Sequence, residues 1–281
     1  MTSFNRSRSV ALYAPLGTYS PDQGPAAYAV SLSRGIGASL TGILPNIEAN
    51  LPRAAKARTL AEAEQESRDR DAANSADAAM LEQKCAGLGV PVQTITVIDH
   101  SRGMLSFIAD HARLHDVLVA GSARNGLLGD RIMAEGLLFE TGRPIIVVPT
   151  EHSGEFSGKR IVAAWDNSRN AARALGDALA LLPELEEVAL VTIGDDKTIH
   201  SSLDDATLLA SLTGRGVAAR IENRTLAGRK IGDALQDTAL ELGADLLVMG
   251  GCGHSRLRDF LLGGATVSVL DHPRLPILLA H

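Results

Sequence analysis

Glycines and basic residues gather near the end of the 281-residue chain, in a pattern that suits phosphate. An apolar run at residues 246–249 ends in the sequence GGCG at 250–253, and a second glycine pair stands at 263–264. Glycine lets a backbone turn sharply and approach a ligand closely. A helix beginning at Gly263 would direct its free N–H groups and positive dipole end to the same place, and Arg256 could bind phosphate oxygens there. Glycines alone also fit a tight strand-to-helix connection without a ligand.

A second polar group follows another strand-like run, at residues 160–165. Asp166 comes directly after this run, and Ser168 follows two residues later. Either side chain could simply cap a helix that begins near Arg169. In the alternative interpretation the Asp166 carboxylate contacts a ligand, because ligands in open α/β sheets lie outside the carboxyl ends of the strands.

The elements that would position these groups occur twice. Three strand-like segments recur in the same order, which indicates two copies of one domain: residues 10–15 match 161–166, 116–121 match 245–250, and 144–148 match 276–280. Strands alternate with helical patterns in each copy, which predicts a parallel sheet with crossover helices. We therefore predict an α/β protein of two tandem five-stranded parallel-sheet domains, at residues 1–151 and 158–281, joined by a polar linker.

The predicted strands lie near residues 9–15, 38–44, 91–98, 116–121 and 144–149 in the first copy, and near 160–165, 187–193, 217–225, 245–249 and 276–280 in the second. The predicted helices lie near residues 23–35, 55–87, 102–114 and 127–141, and near 168–182, 203–214, 229–242 and 264–272.

Composition and absent motifs exclude several classes of function. The net charge of −6 argues against general nucleic-acid binding. Two cysteines cannot build a disulfide framework, and their spacing does not suit a metal site. No apolar run approaches the roughly 20 residues of a membrane span or forms a signal peptide, so a cytoplasmic protein is expected. The chain has no P-loop, HExxH, GxSxG or dinucleotide motif, and we predict no catalytic residue and no metal ligand.

The glycine spacing Gly250-x2-Gly253-x9-Gly263 resembles the signature G-x2-G-x9-G-[S/T] of the universal stress protein family. Met249 before it and the segment 276–279 after it also look like that family. The chain departs at Gly264, where the family's nucleotide binders have Ser or Thr. The segment WDNS at 165–168 is similar to the family's V-D-x-S motif. The resemblance covers nearly the whole chain, strongly in its second half and weakly in its first.

This resemblance implies a Rossmann-like fold of the adenine nucleotide alpha hydrolase type, with two domains around a pseudo-two-fold axis and paired last strands. It also implies ATP or another adenine nucleotide as ligand, with Mg as the ion that could accompany it. The loop at 121–126 lacks the glycine spacing, so the first copy is expected to be degenerate and to bind none. The residues predicted to bind the nucleotide are Ala164, Trp165, Asp166, Ile193, Met249, Gly250, Cys252, Gly253, His254, Arg256, Gly263, Gly264, Ala265 and Thr266.

Three functions stay open. The first is a stress-response or signalling protein that binds an adenine nucleotide through its second domain, has an unknown protein partner, and forms an intrachain pseudo-dimer that could pair again as a homodimer. The second is a structural or interaction protein without a nucleotide, which Gly264 and Cys252 favour. The third, and least favoured, is a nucleotide-handling enzyme, limited at most to slow ATP hydrolysis.

Overall fold

The computed structural model describes residues 7–14, 20–44, 60–96, 103–122, 128–153, 155–195, 204–251 and 264–281. The strands are β1 (Arg8–Tyr13), β2 (Ala38–Ile43), β3 (Val92–Ile95), β4 (Val117–Ser122), β5 (Ile145–Pro149), β6 (Arg160–Ala164), β7 (Glu187–Ile193), β8 (Ala218–Arg224), β9 (Leu246–Gly250) and β10 (Ile277–Ala280). The helices are α1 (Gly24–Ile36), α2 (Leu60–Leu88), α3 (Met104–Ala112), α4 (Leu128–Thr141), α5 (Arg169–Leu181), α6 (Asp205–Thr213), α7 (Ile231–Glu241) and α8 (Gly264–Asp271).

All ten strands join one sheet in the order β3-β2-β1-β4-β5-β10-β9-β6-β7-β8. Neighbouring strands within each half are parallel. The halves meet through β5 and β10, which pair antiparallel with Ile277 opposite Val147 and Leu279 opposite Ile145. The predicted fold class and the pairing of the two last strands are confirmed, whereas the limits of the two domains stay predictions.

Helices cover both faces of the sheet, as the continuous apolar strands require. We call the side covered by α1, α2, α5 and α6 the first face, and the side covered by α3, α4, α7 and α8 the second face. Each face has one apolar core that runs through both halves. The two halves therefore pack as one three-layered body.

An aspartate before the fourth strand of each half ties that strand to the first. The Asp116 carboxylate accepts a hydrogen bond from the Ser9 N–H at 2.8 Å. The Asp245 carboxylate accepts from the N–H groups of Lys159 at 3.2 Å and Arg160 at 3.1 Å. The sequence repeat thus corresponds to a repeated contact at the amino ends of the strands.

Candidate functional site

The candidate site lies at the point in the second half where the strand order reverses. β6 and β9 are neighbours, with Ala163 opposite Val248. The chain continues from β6 to β7 on one side and from β9 to β10 on the other. Ligands of doubly wound sheets bind in the crevice at the carboxyl ends of two such strands.

Four of the predicted residues form an apolar wall at these strand ends. Ala164, Ile193, Met249 and Ala265 all belong to, or pack against, the second-face core. Met249 is 3% exposed and Ile193 is 6% exposed, while both alanines are half-buried. The structure therefore brings together residues from β6, β7, β9 and α8 that are far apart in sequence.

Sequence reasoning missed two further members of this region. Leu226 and Ile231 also pack against the second-face core, from either side of the turn that joins β8 to α7. The Leu226 N–H donates to the Asp195 carboxylate at 2.7 Å, which ties this turn to the end of β7. Apolar residues directly after the predicted strand at 217–225 were the signal that could have found them.

The packing of α5 on β9 requires a glycine at position 250, independently of any ligand. A Cβ atom at this position would lie 2.6 Å from the Cβ of Asn170 and 2.7 Å from its carbonyl carbon. The first turn of α5 therefore rests directly on the end of β9, an approach that only glycine permits. A Cβ at Gly251 would meet Leu138 of α4, so the glycine-rich loop begins on a helix of the first half.

The Asp166 segment is a capping turn. The Ser168 N–H donates to the Asp166 carboxylate at 3.0 Å, and the Ser168 hydroxyl accepts from the Ala171 N–H at 3.1 Å. Asn167 between them has a φ of 59°. The predicted role of Ser168 as the cap of α5 is confirmed. Asp166 is half-buried at the strand end and serves this turn, whether or not it also contacts a ligand.

The structure does not place the Trp165 side chain with the other predicted residues. Successive side chains of a strand point to opposite faces, and Trp165 packs against the first-face core while Ala164 packs on the second. The Trp165 N–H donates to the Val191 carbonyl at 2.8 Å, and its carbonyl accepts from the Thr192 hydroxyl at 3.0 Å. The Trp165 ring therefore lies on the opposite face of the sheet from Ala164, and its contact with a ligand stays a prediction.

The start of α8 provides the polar end of the site. Gly264 is exposed, and no described atom lies within 4 Å of where its Cβ would be. The first N–H groups of a helix have no partner inside it and carry the positive end of its dipole. Thr266 is 1% exposed, and its hydroxyl donates to the Gly250 carbonyl at 3.4 Å. The Thr266 hydroxyl thus faces the end of β9, and its contact with a ligand stays a prediction.

The remaining predicted residues, Cys252, Gly253, His254, Arg256 and Gly263, lie outside the described residues. Their contacts with a ligand stay predictions. Within the described part of the chain, no group of three His, Cys, Asp or Glu side chains could hold a metal ion.

The fold and these strand ends define a doubly wound α/β protein whose strand order reverses between β6 and β9 in its second half. The sequence profile of the universal stress protein family matches residues 158–281. Two curated universal stress proteins, from two strains of Mycobacterium tuberculosis, are each 31% identical over 144 residues, which is 48% of this chain and 94% of theirs. The chain belongs to the universal stress protein family.

Solved structures with the same fold span both halves. A universal stress protein from Archaeoglobus fulgidus has a TM-score of 0.64 at 15% identity, covering 96% of this chain and 95% of its own. A putative universal stress protein from Pseudomonas aeruginosa has a TM-score of 0.57 at 16% identity, covering 98% and 93%. Among the described residues, no helix is long and apolar enough to cross a membrane.

Proposed function

We propose that the second half binds ATP or another adenine nucleotide, and that the protein acts through this binding in a stress response or in signalling. The observation that carries the proposal is the position of the apolar wall. It ends at the amino terminus of α8, where Ala265 packs on the second-face core and Gly264 beside it is exposed.

This arrangement suits the two ends of a nucleotide. The base would pack beside Ala164, Ile193 and Met249, which belong to or pack on the second-face core at the ends of three neighbouring strands. The phosphates would lie at the start of α8, where free N–H groups and the helix dipole favour negative charge. The glycine-rich loop would close over them, with Mg as a possible counter-ion. Binding would act on a partner only if two conformations of the protein bind the nucleotide with different affinities.

A second candidate is an interaction protein that binds no nucleotide. Two observations favour it: the Asp166 carboxylate bonds to the turn before α5, and the Thr266 hydroxyl bonds to the end of β9. Each of these groups thus already makes a hydrogen bond within the protein. Gly264 adds no hydroxyl in their place.

The first experiment identifies what the protein carries. The full chain is purified without added nucleotide and denatured, and the released small molecules are identified by mass spectrometry beside a Gly263→Val variant. Stoichiometric ATP, ADP or AMP from the native chain alone would support the proposal. A native chain that is empty and also fails to bind millimolar ATP would contradict it and favour the interaction protein.

Substitutions at Gly264 then test the position of the phosphates. Because no described atom would contact a new Cβ, both Gly264→Asp and Gly264→Ser should fold. An aspartate at a helix start stabilises the helix but repels phosphate, so we expect ATP affinity to fall roughly tenfold or more. Serine restores the hydroxyl of the family signature, so affinity should hold or rise. Equal affinities for the two variants, measured by calorimetry, would contradict this placement.

A further inference from the structure

A cleft of about 840 Å³ lies between the two halves and shares no residue with the candidate site. The first half lines it with the start of β1 and with the turns that precede β4 and β5, and the second half lines it with α5. Its charged residues are Arg8, Asp116 and Arg143 from the first half, and Arg173 and Asp177 from the second. The volume is within the range of roughly 300–1,000 Å³ that is typical of small-molecule sites.

The two carboxylates of the cleft already have partners. Asp116 accepts from the Ser9 N–H at 2.8 Å, and Asp177 pairs with the Arg173 guanidinium at 2.8 Å. The Asp177 side chain is 22% exposed, so this pair is partly sheltered from water. Within the described part of the chain only Asp177 of these two has a cationic partner, so Asp116 keeps its negative charge, and the three arginines of the cleft exceed its two carboxylates by one positive charge.

Arg8 and Arg143 contact only backbone carbonyls among the described residues. The Arg8 guanidinium donates to the Ala180 carbonyl at 3.4 Å, across the boundary between the halves. The Arg143 Nε donates to the Arg113 carbonyl at 3.1 Å. A guanidinium has five N–H donors, so each keeps several donors that no described side chain takes up.

His115, which lies between the lining residues Leu114 and Asp116, adds no charge to this balance. Its side chain is 9% exposed. Burial lowers the pKa of the imidazole, the nearby Asp116 opposes that shift, and His111 and Arg143 lower the pKa further. The ring is therefore neutral at pH 7, and the excess of one positive charge in the cleft comes from its arginines alone.

We propose that this cleft is a second ligand site, which binds a small anionic molecule through the guanidinium donors of Arg8 and Arg143. Carboxylate and phosphate groups both match the planar fork of a guanidinium. The ligand would contact residues of both halves, because α5 of the second half lines the cleft opposite these two residues of the first half. It would thus stabilise the arrangement of the halves by binding the native state alone.

Calorimetry on the full chain tests the proposal, with inorganic pyrophosphate and citrate as separate probes at constant ionic strength. Arg143→Glu reverses one charge of the cleft, and Arg215→Glu makes the same change on the exposed turn between α6 and β8. Losing a charge-assisted contact should weaken binding of the preferred probe roughly tenfold or more in Arg143→Glu. Arg215→Glu should bind within about twofold of the native chain. The probe that binds tighter identifies the ligand as a phosphate or a carboxylate compound.

Several results would overturn the proposal. The native chain could bind neither probe at millimolar concentration, or both charge-reversal variants could lose affinity equally, as a general surface-charge effect predicts. A Gly263→Val variant separates the two sites. Binding that disappears in Gly263→Val and survives in Arg143→Glu would place the pyrophosphate in the glycine-rich loop rather than in the cleft.

Discussion

The two halves share a strand order but differ at the carboxyl ends of their central strands. In the first half the start of α1 is covered by the chain that follows β5. The Gly24 N–H donates to the His152 carbonyl at 2.6 Å, and a Cβ at Gly24 would lie 2.7 Å from the Thr150 carbonyl oxygen. In the second half the start of α5 is capped by its own Ser168.

The two halves also differ in the length of the connection that follows their fourth strand. Residues 123–127 join β4 to α4, whereas residues 251–263 join β9 to α8. The second half thus has the longer connection and a helix α5 that is capped by its own serine, whereas the first half has the shorter connection and a helix α1 whose start is covered by the chain after β5. This difference teaches that two halves with the same strand order close their strand ends in different ways. It agrees with a degenerate first copy, which stays a prediction.

The two halves nevertheless contact each other where Leu138 meets Gly251. Substitution of Leu138 has the largest expected effect on stability. This side chain is 2% exposed on α4, and a Cβ at Gly251 would lie within 2.4 Å of its Cδ2. We expect Leu138→Ala to lower the free energy of unfolding by about 2–5 kcal/mol. It should also weaken ATP binding in the second half, because the base of the glycine-rich loop loses its support.

Leu137→Ala is the matched control. Leu137 is also buried on α4, but its atoms are not among those nearest to a Cβ at Gly251. Urea unfolding should give a similar loss of stability for the two variants, and calorimetry should give native ATP affinity for Leu137→Ala only. If both variants bind ATP as the native chain does, the two halves are independent at this loop.

A pair of equivalent glycines sharpens the comparison of the strand ends. A Cβ at Gly250 would lie 2.7 Å from the backbone of Asn170, whereas a Cβ at Gly121 would lie 3.0 Å from the Pro25 ring. Overpacking a rigid backbone costs more than shifting a side chain, so Gly250→Ala should destabilise by about 1–3 kcal/mol. Gly121→Ala should cost about 1 kcal/mol or less. Urea unfolding of both variants measures the difference, and equal losses would show that the two strand ends are packed alike.

Local pattern was enough to predict most of the fold. The predicted strand at 187–193 coincides with β7, and the other strands of the second half agree within one residue at each end. Except for the half-buried edge strand β8, these strands are mainly apolar runs bounded by turn residues. The antiparallel pairing of β5 with β10 followed from the family resemblance, since an apolar run does not specify its neighbour. The close packing of α5 requires a glycine at position 250. For this residue the interpretation as a tight strand-to-helix connection therefore holds with or without a ligand.

The candidate site was predictable only in part, for physical reasons. Ala164, Ile193 and Met249 were found because they end strands that carry family motifs. The orientation of Trp165 depends on the face to which one strand position points, and a shift of one residue reverses it. The contact of Gly251 with Leu138 joins two halves through a strand pairing that is distant in sequence. No local spacing encodes such a contact.

The smallest expected effect concerns an ion-pair network in the second half. Asp237 on α7 accepts from Arg274 at 2.7 Å and from Arg229 at 2.6 Å. The hydrogen bond from Arg274 is the main cause that lowers the pKa of Asp237, burial opposes it, and Arg229 adds to the lowering. A carboxyl whose pKa is lower in the folded state stabilises the fold above its unfolded pKa of about 3.9. That contribution is lost as the pH falls through the folded pKa.

Asp237→Asn should therefore reduce the free energy of unfolding at pH 7 by about 1 kcal/mol or less, because the side chain is partly exposed. The difference from the native chain should shrink as the pH falls below about 4, because the unfolded carboxyl takes up a proton there before the folded one does. Asp110→Asn, which affects an exposed pair with Arg113 in the first half, is the control and should change stability less. Urea unfolding at pH 7 and pH 3 measures both variants. A loss of stability for Asp237→Asn that is the same at both pH values would mean that the asparagine disturbs packing rather than the ion pairs. The ion pairs of Asp237 would then not distinguish the second half from the first.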